Sequence, residues 1–211
     1  MERKGNLIVS LGREFGAGGR SVGRMLADRL GVAYYDKELI IEAAKEFGFA
    51  PEFFEEMDEK SSSSTISGNV LQWMSDWMGN AYSRNFLSQD SLFEMQANTI
   101  RKIASEKSCV ILGRCSDYVL RDNPNCVSVF LHSTEEDRAN RIVERSDMTR
   151  EQALKLMEVE DKRRASYYNF YSNKTWGMAS TYHLSVNVAS LGDEGVVDFI
   201  IDFLKRGGYC E

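Results

Sequence analysis

Four glycines, Gly12, Gly16, Gly18 and Gly19, stand just before Ser21 in the stretch Leu7–Leu30, LIVSLGREFGAGGRSVGRMLADRL. Glycines at this density let backbone N–H groups converge on an anion without Cβ obstruction, and a helix that starts there adds its unpaired amides and positive dipole end. An apolar strand-like run (Leu7, Ile8, Val9, Leu11) enters the segment, and a helical pattern (Val22, Met25, Leu26, Leu30) leaves it. The candidate phosphate-binding residues are therefore Gly16, Ala17, Gly18, Gly19, Arg20 and Ser21. The spacing approaches the P-loop pattern GxxxxGK[ST] without matching it: Gly19 and Arg20 stand where Gly-Lys would be read, and Ser21 takes the Ser/Thr place. Either Arg20 replaces the lysine or the loop works without a cation there.

Further residues that can do chemistry fall at predicted strand ends. Asp36 follows VAYY, Arg114 follows CVILG, and a charged helix supplies Arg163 and Arg164. Phosphoryl transfer needs a phosphate cradle, Mg²⁺, cations against the charge spreading over the transferred group, and exclusion of water. Ser21 can offer its hydroxyl to Mg²⁺, and Arg114 can bridge donor and acceptor phosphates with two parallel hydrogen bonds. Arg163 and Arg164 would close as a lid on bound phosphates, or pair at helical spacing with Glu158, Glu160 and Asp161 on a solvated face. Asp36 either positions an acceptor or a metal-bound water, or caps the helix that follows it. Arg138, Arg141 and Arg145 share one helix face and are expected to pair at the surface with Asp137 and Glu144.

The elements that position these residues alternate between strand and helix. Val32–Tyr35, Cys109–Gly113, Cys126–His132 and His183–Val188 read as strands. Helical patterns run from Lys37 to Phe47, through Leu92–Ile103, and from Glu194 to Lys205. Ser133 with Glu136, and Thr149 with Gln152, are capping-box signatures that open helices. A further helix begins near Ala50-Pro51 with Phe53, Phe54 and Met57, and a mobile serine tract follows. From Val70, residues Trp73, Met74, Trp77 and Met78 lie on one apolar face, expected as core or as a homodimer contact through the Trp73/Trp77 helix. Strands alternating with helices imply a parallel α/β sheet with its ligand site at the carboxyl ends of the strands.

Composition narrows the function classes. A net charge of −6 in 211 residues argues against general affinity for nucleic acid or anionic membrane, although a local arginine cluster can still form an anion pocket. No apolar run reaches the roughly 18 residues of a membrane span, and MERKGN leads straight into strand residues, so a cytoplasmic protein is expected. The cysteines, Cys109, Cys115, Cys126 and Cys210, lack CxxC spacing and read as buried thiols rather than a metal site or disulfide framework.

Taken in order, SLGREFGAGGRSVG, GVAYYDKELI, CVILGRCSDYVL, VFLHSTEEDRANRI, EDKRRASYYNFYSNKTWG and YHLSVNVASL resemble the cytidylate kinase-like family of P-loop nucleoside monophosphate kinases. The resemblance implies one three-layer P-loop kinase domain over residues 1–211 with a central parallel sheet. It also implies a helical acceptor-binding insertion around residues 50–100, a lid around 149–177, and ATP with Mg²⁺ as phosphoryl donor and metal. It places Gln96, Asp36 and Arg114 on the acceptor side. Against true cytidylate kinases the chain has Gly19 for the loop lysine, Cys115 for the aspartate of GRD, Glu42 for an arginine and Ala97 for the arginine of a Gln-Arg pair. CMP is thereby disfavoured as acceptor, and a nucleotide-binding module without phosphoryl transfer stands as the alternative.

Overall fold

Ile8–Arg13, Cys109–Leu112 and Cys126–His132 carry apolar residues at successive rather than alternate positions, which suits strands covered on both faces. The computed structural model describes residues 5–48 and 89–210. In chain order its elements are β1 (Ile8–Arg13), α1 (Gly19–Leu30), β2 (Ala33–Tyr35), α2 (Lys37–Glu46), α3 (Gln89–Glu106), β3 (Cys109–Leu112), α4 (Ser116–Val119), β4 (Cys126–His132), α5 (Glu135–Val143), α6 (Arg150–Ser172), β5 (Leu184–Asn187) and α7 (Val188–Arg206). The strands form one five-stranded, all-parallel sheet in the order β2-β3-β1-β4-β5. β1 is central, so the loop that leaves it is flanked by the carboxyl ends of β3 and β4.

The chain forms two compact units, one of residues up to Glu38 and from Ile100 onward, the other Leu39–Thr99. Residues 49–88 lie outside the described set. The Phe53/Phe54/Met57 helix, the serine tract and the Trp73/Trp77 face fall there, as does most of the expected 50–100 insertion.

In the larger unit the sheet separates side chains by the period of two. Val9, Leu11, Val110, Leu112, Val127, Val129 and Leu131 pack with Val22 and Leu26 of α1 and Val197 and Ile200 of α7 in one core. The alternate residues Ile8, Ser10, Ile111, Ser128 and Phe130 are also buried. Both serines in that set are satisfied: the Ser10 and Ser116 hydroxyls lie 2.6 Å apart, and the Ser128 hydroxyl accepts from the His183 amide at 3.1 Å.

Two helix starts differ from expectation. The cap of α5 is Thr134, whose hydroxyl accepts from the Asp137 amide at 3.2 Å; the Ser133 amide is held by Glu14 Oε2 at 3.1 Å, which keeps the chain extended one residue longer. α7 begins before Glu194 because the Asn187 side chain accepts from the Ala189 amide, and Gly192 (φ 67°) then breaks the helix so that Asp193 opens its longer part. The Thr149–Gln152 capping box of α6 forms as read. No helix of the described residues is long and apolar enough to cross a membrane.

Cys109, Cys115 and Cys126 are buried and Cys210 half-buried, and burial pushes the first three thiols up to about 12. Native protein treated with iodoacetamide at about pH 8 should be alkylated at Cys210 alone, with the other thiols labelled only after unfolding, as read by peptide mass spectrometry. Leu131→Ala, in the middle of the sheet with no exposed surface, should cost roughly 2–5 kcal/mol of unfolding free energy, seen as a lower urea midpoint at unchanged slope.

Candidate functional site

Gly18 caps α1 in the left-handed region (φ 75°, ψ 9°), and no side chain bonds to the cap. The first bond of the helix runs from the Val22 amide to Gly18 O at 3.0 Å. Among the described residues, the amides of Gly16, Gly18, Gly19, Arg20 and Ser21 meet no acceptor. The first turn of α1 carries no acidic residue of its own, which leaves the positive end of its dipole to attract an anion. Gly16 has φ 83°, and a Cβ on it would stand 2.9 Å from Arg138 O; any side chain would be strained and would push the loop off α5. Open amides in a recess at a helix start make an anion cradle.

The outer half of the loop is clamped by α5 and α6. The Phe15 amide donates to Asp161 Oδ1 at 2.7 Å, and Phe15 O accepts from Arg138 Nε at 2.7 Å. Arg138 also pairs with Glu14 Oε2 at 3.2 Å and with Asp161 Oδ2. This corrects the surface pairing expected for Arg138: its side chain is only 9% exposed, because that face of α5 packs on the loop. Arg141 keeps the expected Asp137 partner at 2.9 Å and adds Asp193 Oδ1 at 2.7 Å, beside Gly18.

Behind the loop sits a cluster of cations. Arg13, the last residue of β1, has no carboxylate and no hydrogen-bond acceptor for its guanidinium among the described residues. Burial, then Arg164 and Arg114, push its pKa down to about 9. Arg114 follows β3 in the left-handed region (φ 59°), as does Cys115 (φ 53°), and its guanidinium carbon lies 5.9 Å from the centre of the Tyr167 ring. Arg164 donates to Arg13 O at 3.2 Å and lies 5.2 Å above the Phe15 ring. Burial lowers Arg114 and Arg164 as well. Lys37 is pushed to about 8 by burial and then by Arg114 and Arg163. Like charges held together in low dielectric are costly unless an anion joins them.

The other residues singled out from sequence are placed as follows. Arg20 is exposed, donating to Glu38 Oε2 at 2.9 Å and lying 3.6 Å from Asp36. Asp36 is buried between β2 and α2, with Arg24 at 3.9 Å as a second cation. Burial disfavours the Glu38 carboxylate, but the Asp36 hydrogen bond and Arg20 outweigh it and hold its pKa below the usual value. Arg163 is exposed and pairs with Glu160 at 2.7 Å, and Lys162 with Glu158 at 2.6 Å, so the solvated face foreseen for α6 exists beside the inward-turned Arg164. Ser21 is half-buried in the first turn of α1. In the smaller unit, Gln96 is buried and its Oε1 lacks a hydrogen-bond partner among the described residues. Sequence reasoning passed over Arg13, Glu14 and Lys37, and gave Asp161 only as a partner on the helix surface, whereas it holds the Phe15 amide and Arg138. For Arg13 a signal was present: it is a charged residue directly at the carboxyl end of an otherwise apolar strand.

These residues fit a bound triphosphate with Mg²⁺: the open amides and arginines match phosphate oxygens, and the Ser21 hydroxyl is available at the helix start. The described residues contain no group of three or more His, Cys, Asp or Glu side chains that could hold a metal by themselves. The all-parallel sheet, with a glycine loop leaving its central strand into a helix, defines a P-loop kinase fold. The chain belongs to the cytidylate kinase-like family, whose model matches residues 8–190. A solved uncharacterized protein from Eubacterium ventriosum ATCC 27560 is 30% identical, with TM-score 0.71 over 95% of this chain and 99% of that one. A gluconokinase from Sinorhizobium meliloti 1021 shares the fold at 17% identity and TM-score 0.55, over 98% of this chain and 95% of its own. A shikimate kinase from Bacteroides thetaiotaomicron does so at 15% identity and TM-score 0.53, over 94% and 98%. No curated protein sequence matches the chain.

Asp161→Asn keeps the volume of the clamp but turns a donor toward Arg138, and should cost about 2 kcal/mol in urea unfolding. A variant as stable as the parent would show that the clamp does not hold the loop. Lys37 offers a pH test. Its folded pKa of about 8 lies below the ordinary 10.5, so the folded state binds fewer protons between those values; the penalty is full below the lower value and is relieved as pH rises toward the upper. The stability difference between the parent and Lys37→Met should therefore shift in the parent's favour across that interval, measured by urea titration at each pH. A difference independent of pH would place Lys37 outside the cationic cluster.

Proposed function

We propose that this protein is an ATP-dependent phosphotransferase that moves the γ-phosphoryl group to a nucleoside monophosphate or another small acceptor. The observation that carries the reading is the concentration of Arg13, Arg114 and Arg164, with no carboxylate on Arg13 among the described residues, beside a loop whose amides are open. Membership in the cytidylate kinase-like family supports it. In this reading the amides from Gly16 to Ser21 hold the donor phosphates. Ser21 would hold Mg²⁺, which would neutralise charge on the donor phosphates.

Arg114 meets the transferred group and the acceptor. The strained backbone at Arg114 and Cys115 fixes where that guanidinium starts, which suits a contact needed only in the transition state. Arg164 and Arg163 on α6 close the 149–177 lid, and closure excludes water that would otherwise take the phosphoryl group. Asp36 is an acceptor-side group, and so is the buried Gln96, whose Oε1 lacks a hydrogen-bond partner among the described residues. The acceptor oxygen forms the new bond to the γ-phosphorus as the bond from that phosphorus to the β,γ-bridging oxygen breaks. ADP leaves with the electron pair, and any proton on the acceptor oxygen passes to solvent. Glu42, Ala97 and Cys115, in place of the residues that cytidylate kinases carry, point to an acceptor other than CMP.

The test is product formation with ATP, Mg²⁺ and a panel of nucleoside monophosphates, nucleosides and small hydroxyl compounds. Arg114→Ala should lower kcat by about 10²–10³ with the fold intact. ATP binding without turnover of any acceptor would instead leave a nucleotide-binding module.

A further inference from the structure

The lysine absent from the loop and the unpaired Arg13 are connected by geometry. The Arg13 stem runs along Gly19: a Cβ on Gly19 would meet Arg13 Cγ at 2.7 Å, Cβ at 3.2 Å and Cδ at 3.4 Å. Its head reaches the end of β3, where a Cβ on Gly113 would collide with Nη1. Two glycines from separate parts of the chain are thus hollowed around one side chain. Gly113 has φ 75°, so a residue with a side chain there would be strained as well as obstructive. Arg20, the arginine nearest to the lysine place in sequence, is exposed and engaged by Glu38 and Asp36.

The P-loop pattern GxxxxGK opens with a glycine six positions before its lysine. When Gly16-Ala17-Gly18 is read as the end of that pattern, the lysine place is Gly19 and the opening glycine place is Arg13. The two residue types have changed places. A lysine at 19 and an arginine at 13 would compete for the same volume, because the arginine stem fills the space a Cβ at 19 needs.

We infer that Arg13 supplies the phosphate-binding cation that a P-loop lysine supplies elsewhere, its guanidinium reaching the donor phosphates from the end of β1 through the gap left by Gly19 and Gly113. Guanidinium suits this route better than ammonium: its planar fork can hold two phosphate oxygens at once, and it stays charged while crowded by Arg114 and Arg164. The absence of any carboxylate on Arg13 among the described residues leaves that fork open to a ligand.

The inference rests on the reading that the loop takes a nucleoside triphosphate, and its test separates the two. Thermal denaturation and calorimetry with Mg-ATP, and with inorganic tripolyphosphate as a base-free probe, are compared for the parent, Arg13→Met, Arg20→Met, Gly19→Lys and the exchange variant Arg13→Gly/Gly19→Lys. The parent should be stabilised by both probes. Arg13→Met should melt no lower than the parent without ligand, since it removes an unpaired cation, and should bind both probes about 10–100-fold more weakly. The exchange variant should regain most of that affinity, whereas Gly19→Lys alone should not bind. A parent that neither probe stabilises overturns the triphosphate reading itself. A parent that is stabilised while Arg13→Met binds equally well, or while Arg20→Met alone loses binding, overturns only the role of Arg13. A large fall in the ligand-free Tm of Arg13→Met with affinity kept would make it a packing residue and would likewise overturn the inference.

Discussion

Positive charge crowded at the ends of β1 and β3, with no carboxylate on Arg13 among the described residues, is the constraint to which the rest of the larger unit answers. Arg164 and Arg114 depress Arg13 beyond the effect of burial, Arg163 does the same to Arg114, and Arg164 is depressed by burial against the pull of Glu160 and Asp161. Such an arrangement works against folding in the free protein and becomes favourable when an anion with several charges joins it. The hydrophobic core between the sheet and α1 and α7 supplies the stability that makes this cost tolerable. Burial of the strands on both faces is therefore a condition of the site as well as of the fold.

The clamp on Glu14 and Phe15 has the same origin. A loop whose inner amides are open cannot use them to hold its own shape, and its outer half is fixed from outside, by Arg138 of α5 and Asp161 of α6. α6 also carries Arg164 and Arg163. One helix thus meets the loop twice, through the Asp161 carboxylate on the Phe15 amide and the Arg164 guanidinium on Arg13 O.

Much of the architecture was legible because it follows from local rules. Doubly covered strands read as continuous apolar runs, and β4 falls on Cys126–His132 as the sequence predicts. The glycine loop and the Thr149 cap also follow from residue type and spacing alone. The cap of α5 moved by one residue because a distant carboxylate, Glu14, holds Ser133. The partners of Arg138 were misassigned for a related reason: i,i+4 spacing lists its neighbours on the helix and is blind to a loop more than a hundred residues away.

The sequence by itself determined that a strand, a glycine loop and a helix would present open amides to an anion, since these depend on backbone freedom and helix termini within one short stretch. It determined too that a parallel sheet would bring Arg114 and Asp36 to the same edge. Which arginine serves the loop was decided only in three dimensions. Arg20 is adjacent in sequence but is drawn to Glu38 and Asp36, while Arg13 sits beside Gly113, a hundred residues along, because β1 and β3 pair in register from Ile8 and Cys109 through Leu11 and Leu112. Charge pairing and close approach across strands are long-range properties, and spacing along the chain does not encode them.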